Sequence, residues 1–264
     1  MPISDIQADI LRQIAAHRHP DNYLAGATVL HRRADSPRYS HDLDFFHDVA
    51  DCVAASAEQD AAKLQEAGYA ITWLLRTPSF YRAMATTGQD RLKIEWAQDS
   101  AFRFFPVQQD EQCGYRLHET DAAINKILAL AGRSEVRDFV DAIHLHSTYL
   151  SLGAMVWAAC GKDPGYTPDF LLDQAGRHTA YTQVDVDRLS LRHPLDLRAM
   201  KQQWCRGQEE ARALTASLPP EELGCLYLDP DLNPVTPDPQ AAGFARLTRH
   251  GGTLRGAWPT VSPG

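Results

Sequence analysis

Apolar positions along this chain recur at two spacings, mixed in the first half and almost wholly helical in the second. Ile3, Ile6, Ile10 and Ile14 fall three or four residues apart behind Ser4 and Asp5, which predicts a capped amphipathic helix. Residues 23–30 are apolar around Gly26-Ala27 and read as a turn into a short helix. Leu43 and Phe45 alternate with Asp42 and Asp44, so a strand is predicted over residues 43–47. Asp48 then stands where it can cap a helix whose stripe is Val49, Val53, Ala57, Ala61 and Leu64, ended by Gly68. Three strands are expected at 69–76, 80–86 and 91–97, with Thr77-Pro78-Ser79 and Gly88-Gln89-Asp90 as the turns between them.

From about Asp121 the spacing is helical. Ile124, Ile127, Leu128 and Ala131 form a stripe that Gly132 interrupts. Ser134 is placed to cap a second helix with Val136, Phe139, Val140, Ile143, Ser147 and Leu150 on its inner face. Further helices are expected at 153–160, 168–176 and 194–218, the last carrying Leu197, Met200, Trp204, Ala211 and Leu214. Residues 225–228 read as a strand, after which Pro230, Pro234, Pro237 and Pro239 keep the backbone extended. The natural division is an α/β core over residues 1–115 and a mostly helical region with a Pro-rich tail over 116–264.

The strand at 43–47 brings in the chemistry. Successive strand side chains point to opposite faces, so Leu43 and Phe45 turn into a core while Asp42 and Asp44 share the other face. Two acids side by side repel unless a cation sits between them. Mg²⁺ commonly takes one or two carboxylates plus substrate phosphates, so the pair reads as a metal–phosphate site. In the strand at 91–97, Leu92, Ile94 and Trp96 share one face and Arg91, Lys93 and Glu95 the other. Glu95 becomes a third carboxylate if that strand lies beside the Asp42/Asp44 strand.

Composition narrows the possibilities. The 264 residues, 44% hydrophobic and 23% charged, suit a soluble globular protein. A formal charge of −8 argues against bulk electrostatic binding of nucleic acid. It leaves room for a local basic patch from His31-Arg32-Arg33, Arg38, Arg76, Arg82, Arg91 and Lys93, for which a solvated face is the blander reading. No apolar run approaches the roughly 20 residues that span a bilayer. No signal peptide is visible, so no membrane partner and a cytoplasmic location are expected. The five cysteines, odd in number and widely spaced, fit neither a disulfide framework nor a zinc knuckle. His41-Asp42 raises a metal-dependent phosphohydrolase, but that dyad belongs on a helix and Leu43-Asp44-Phe45 reads as a strand. His144 and His146, two apart, diverge on a helix. Trp73, Tyr81 and Trp96 read as core.

Gly26-Ala27-Thr28, then Arg38-Tyr39-Ser40-His41-Asp42-Leu43-Asp44-Phe45, resembles the nucleotidyltransferase-like toxins of the AbiEii/AbiGii abortive-infection type. A second block, Asn125-Lys126-Ile127-Leu128-Ala129-Leu130 with Arg133 and Arg137-Asp138-Phe139-Val140-Asp141, looks like the helical signature of the same family. The resemblance covers roughly residues 20–145 well and the rest loosely. It implies an α+β fold: a polymerase-β-like core, a short mixed sheet with flanking helices, followed by a mostly helical half. It also implies Mg²⁺-dependent transfer of a nucleotide from an NTP to an RNA, in some members the 3′ end of tRNA, or to a protein, with a separate antitoxin as partner. On this resemblance Asp42, Asp44 and Glu95 hold the metal, and Glu95 helps to deprotonate the acceptor. Gly26, Ala27, Thr28 and Ser40 meet the nucleotide. Lys126 and Arg133 meet its phosphates, and Arg137 with Asp138 braces the site. Asp42, Asp44, Glu95 and Lys126 are the expected catalytic set. The family turn usually reads Gly-Gly or Gly-Ser, so Ala27 is a departure. It keeps open a catalytically silent nucleotide-binding relative as an alternative to the enzyme, beside the phosphohydrolase.

Overall fold

The structure, a computed structural model, describes residues 3–32, 35–133, 135–176 and 181–260. The Arg33 and Ser134 expectations lie outside the described residues. The chain forms two compact units, one of residues 1–101, 106–122 and 254–256, the other of 102–105, 123–253 and 257–264.

In the first unit, α1 (Asp5–Ile14) starts at Ser4, whose side chain accepts from the Gln7 backbone while the Gln7 side chain accepts from the Ser4 backbone. This reciprocal cap satisfies helix-end donors that would otherwise be orphaned. Next come β1 (Asn22–Ala25), α2 (Gly26–Leu30), β2 (Asp42–His47) and α3 (Asp51–Glu66). They are followed by β3 (Ala70–Thr77), β4 (Phe80–Thr87), β5 (Asp90–Gln98), β6 (Phe102–Arg103, in the second unit), β7 (Gln108–Asp110) and β8 (Gly114–Arg116). Seven of these strands make one mixed sheet in the order β3-β4-β5-β2-β1-β8-β7. The β2–β5 and β1–β8 pairs are parallel and the others antiparallel.

One sheet face is apolar. Leu43 and Phe45 of β2, Leu92, Ile94 and Trp96 of β5, and Ala83 and Ala85 of β4 are buried there with Ile10 and Ile14 of α1 and Val53, Ala57 and Leu64 of α3. Asp60 of α3 ties this layer together: fully buried, it accepts from Arg18, from Trp96 Nε1 at 2.7 Å and pairs with His17. The Arg18 guanidinium lies over the Phe45 ring at 4.4 Å. Trp73 meets both Tyr81 and Trp96, but of the three aromatics expected in the core only Trp96 is fully buried; Trp73 and Tyr81 are half-buried with Arg76 over both rings.

Two expectations are corrected here. Residues 22–25 form a strand, flanked by β2 and β8, rather than part of a turn. Asp48 does not cap α3. The N-cap is Ala50 without a side-chain bond, Asp48 instead accepts from Tyr23 Oη at 3.2 Å, and Val49 is exposed outside the helix.

The second unit is mainly helical: α4 (Glu119–Gly132, its first four residues in the first unit), α5 (Val136–Thr148), α6 (Leu152–Lys162), α7 (Pro168–Gly176), α8 (Gln183–Asp187) and α9 (Leu197–Ser217). Ile124, Ile127, Phe139, Val140, Met155, Trp204 and Ala211 are buried in it. Gly153 of α6 lies so near the Ala211 backbone that a Cβ there would stand 3.0 Å from its Cα. An antiparallel pair, β9 (Leu226–Leu228) and β10 (Thr248–His250), closes the unit, while β11 (Thr253–Leu254) ends the described strands. Among the described residues, no helix is long and apolar enough to cross a membrane.

Candidate active site

The second face of the first unit's sheet is polar, and the strand register decides what meets there. Pairing of β2 with β5 sets Asp42 directly across from Lys93 and Asp44 across from Glu95. Pairing of β5 with β4 adds Arg82 across from Glu95. The Asp42/Asp44 strand and the Glu95 strand are therefore neighbours, and three carboxylates and two cations share one patch.

Each acid has a distinct support. Asp42 is buried. Its Oδ1 accepts from Ser40 Oγ at 2.8 Å and its Oδ2 lies 3.3 Å from Lys93 Nζ. Its backbone carbonyl accepts from Thr28 Oγ1 at 2.8 Å and from Gln7 Nε2 at 3.2 Å, and the same Gln7 amide reaches the Ser40 carbonyl at 3.1 Å. Gln7 and Thr28 are both fully buried, so α1 and α2 grip the strand just where it carries its first acid. Thr28 spends its hydroxyl inside the protein, and Ser40 spends its own on Asp42.

Asp44 is seated by Gly26. Strand β1 runs antiparallel to β2 with Ala25 across from Asp44, and the chain then turns into α2 at Gly26 with φ +66°. A Cβ on Gly26 would fall 2.0 Å from Asp44 Oδ2. Glycine is needed there for the left-handed backbone and for the space that the carboxylate fills. Ala27 follows inside the helix and is not among the positive-φ residues, so the alanine departure meets no backbone conflict.

Glu95 Oε1 accepts from Lys93 Nζ at 2.9 Å and from Arg82 Nε at 2.7 Å. Burial alone would raise its pKa. The Lys93 and Arg82 charges outweigh burial and hold the carboxyl below its ordinary range. Glu95 is thus an anion at neutral pH and a weak base, which favours an electrostatic role over proton removal.

The second unit holds a different cluster. Lys126 of α4, almost wholly buried, donates to Asp138 Oδ1 at 2.6 Å and lies 3.1 Å from Asp141 Oδ2, both on α5. Arg133 completes it with Nε 2.7 Å from Asp138 Oδ2. Burial pushes the Asp138 carboxyl up, but Lys126 and Arg133 more than reverse this and leave it below the usual carboxylate range. Lys126 and Arg133, expected as a pair of cations, converge on one acid. Asp141, four residues after Arg137, is buried against Lys126. Arg137 Nε lies 3.9 Å from Glu135.

Much of the basic patch considered from sequence is paired with acids: Arg32 with Asp110, Arg76 with Glu58, Arg82 and Lys93 with Glu95. A cavity of about 870 Å³ in the second unit, lined by Gln183, Asp196, Arg198, Lys201, Cys205 and Arg206, contains none of the residues singled out by motif. Gln7 is the functional neighbour that sequence reasoning missed, hinted at by the cap at Ser4; Lys93, placed beside Glu95 by the parity of β5, reads from sequence as part of a basic patch rather than as a partner of Asp42.

Among the described residues, no group of three or more His, Cys, Asp or Glu side chains converges as a metal cage. The donor set that suits a divalent ion is the Asp42–Asp44 pair. Its two carboxylates match what Mg²⁺ takes from protein when water and phosphate complete its shell. The Gly26 cradle and the Ser40 bond hold both acids in place, so the residues fit such an ion.

The family model described as nucleotidyl transferase AbiEii toxin, type IV toxin–antitoxin system, matches residues 9–217. Among solved structures, the chain is similar to MenT4, a nucleotidyltransferase toxin from Mycobacterium tuberculosis, at 15% identity and TM-score 0.56, over 82% of this chain and 83% of that one. It is also similar to JHP933 from Helicobacter pylori, at 18% identity and TM-score 0.51, over 81% and 95% of the two chains. No curated protein matches the chain.

Proposed function

The chain belongs to the AbiEii family of nucleotidyl transferase toxins, and from that premise we propose that it is a Mg²⁺-dependent enzyme that moves a nucleotide from an NTP onto RNA. The family brings a nucleotidyltransferase activity, an NTP substrate and a cognate antitoxin; the metal and the acceptor are our reading. The support is the seating of Asp44 against Gly26, beside Asp42 on the polar face of β2. A sheet with no chemistry to do gains nothing from two neighbouring acids held so closely.

The reaction is an in-line displacement. An acceptor hydroxyl oxygen bonds to the α-phosphorus and gives its proton to solvent water, the bond from that phosphorus to the bridging oxygen breaks, and pyrophosphate leaves. Positioning and charge neutralisation supply most of the rate in such transfers. Asp42 and Asp44 would hold Mg²⁺, which when bound would supply positive charge to the phosphoryl oxygens. Ser40, Gln7 and Thr28 fix Asp42, and the Gly26 turn fixes Asp44. Glu95, kept ionised by Lys93 and Arg82, adds a third negative charge across the ladder from Asp44. Backbone N–H groups of the Gly26-Ala27 turn are offered to phosphate, since the Thr28 hydroxyl is engaged on Asp42. A phosphate-binding role for Lys126, Arg133, Arg137 and Asp138 is proposed on the family resemblance alone.

Incubation with total RNA and each NTP labelled at the α-phosphate tests the reading. Label on RNA with wild type, absent with Asp42→Asn/Asp44→Asn, is expected. Label on protein alone would replace the RNA acceptor, and no label on any acceptor with any NTP would refute transfer.

A further inference from the structure

The polar sheet face carries a cation for which the metal reading has no use. Lys93 stands directly across the parallel ladder from Asp42 and two residues before Glu95 on its own strand. Its Nζ lies 3.3 Å from Asp42 Oδ2 and 2.9 Å from Glu95 Oε1, so one ammonium bridges two strands through two carboxylates. The residue is held to this face from both sides, because Lys93 pairs with Asp42 of β2 and with Met84 of β4. Asp44 and Glu95 face each other across the same ladder, a like-charge pair that costs stability unless a cation is close.

The two cations beside Glu95 are not equivalent. Arg82 reaches Glu95 at 2.7 Å, and its guanidinium lies over the Phe80 ring at 5.1 Å. That flat contact and the fork geometry suit a fixed partner. Lys93 instead places a compact charge on a flexible stem against Asp42 Oδ2, an oxygen of the acid proposed to ligate Mg²⁺.

We infer that Lys93 is an internal counter-cation of the acidic site, bridging Asp42 and Glu95 when no divalent ion is bound and yielding Asp42 when one binds. Lys93 thereby sets the metal affinity of the site and keeps the acids ordered in the metal-free protein. This rests on the proposed role of Asp42 and Asp44. A single positive charge a few ångströms from a divalent ion weakens its binding on the order of tenfold even at high effective dielectric.

Mn²⁺ binding, measured by calorimetry on the full chain, tests the inference, with melting temperature as a second readout. Lys93→Met is expected to bind Mn²⁺ on the order of tenfold more tightly than wild type. It should also melt lower than wild type without metal and regain more on adding it. Lys93→Arg keeps the charge and should not bind more tightly. Arg82→Gln should change the affinity less than Lys93→Met does. Equal or weaker Mn²⁺ binding by Lys93→Met overturns the inference while leaving the metal site standing. Should Lys93→Met fail to fold, Lys93→Gln carries the same two outcomes. Failure of the underlying reading looks different: wild type binds no Mn²⁺, or Asp42→Asn/Asp44→Asn binds it equally well, and the counter-cation role falls with it.

Discussion

Gly26→Ala is the substitution whose effect can be worked most directly from the geometry. The built Cβ would stand 2.0 Å from Asp44 Oδ2, 2.8 Å from Cγ and 2.9 Å from Cβ, so the carboxylate cannot keep its position. Two costs arise. An L-residue held at φ +66° loses about 1–2 kcal/mol relative to glycine. Driving Asp44 off its preferred rotamer adds about 0.5–1.5 kcal/mol. Together they predict a destabilisation of about 1.5–3.5 kcal/mol. At about 2–4 °C per kcal/mol for a chain of this size, the melting temperature should fall by roughly 3–14 °C. Urea unfolding followed by tryptophan fluorescence reads the loss. A double-mutant cycle with Asp44→Gly isolates its cause, because that change removes the opposing side chain and leaves only the backbone cost. A coupling of about 1 kcal/mol between the two positions is expected, along with loss of transfer in Gly26→Ala. Wild-type stability for Gly26→Ala, or a cycle with no coupling, would refute the cradle.

Three further outcomes follow from other parts of the molecule. Lys126→Met removes the buried cation that Asp138 and Asp141 share, leaving Asp138 to Arg133, and should cost about 3–5 kcal/mol at neutral pH in urea unfolding. Burial, helped by the Arg18 charge, pulls the His47 pKa down to about 4. The unfolded chain takes up that proton near pH 6.5, so stability should fall as pH drops from about 6.5 to 4, by up to about 3 kcal/mol from this residue. His118, also lowered to about 4 by burial and Arg116, adds in the same direction; a stability curve flat across that window would contradict both. Gln7→Leu removes the donor that holds the Ser40 and Asp42 carbonyls, and should cost about 1–3 kcal/mol and slow transfer while circular dichroism stays unchanged.

The legible parts of this fold are those where period and chemistry agree. Residue parity alone placed Asp42 and Asp44 opposite Leu43 and Phe45, and Glu95 opposite Trp96, and the β2–β5 pairing follows both patterns. Strand β1 was hidden because all four of its residues are buried, which leaves no alternation to read. Strands β7 and β8 have three residues each, too few to show a period, and β10 lies some twenty residues beyond its partner β9. At the candidate site, spacing on one element cannot show what faces it from another. From sequence, Lys126 is therefore expected to meet phosphate and Asp138 to brace the site with Arg137, whereas α4 and α5 turn Lys126, Asp138 and Asp141 toward one another in the interior. Gln7 was missed for the same reason: its local task in the α1 cap conceals an amide that reaches a strand more than thirty residues away.

The central claim is nucleotidyl transfer at Asp42 and Asp44, and the most direct measurement follows the two ends of the triphosphate separately. Wild type and Asp42→Asn/Asp44→Asn are incubated with Mg²⁺, RNA and NTP labelled either at the α- or at the γ-phosphate. Nucleotidyl transfer puts α-label on the RNA and γ-label into pyrophosphate, with both signals lost in the double variant. Gamma-label appearing as orthophosphate with no α-label on RNA, or transfer that survives the double substitution, would contradict it.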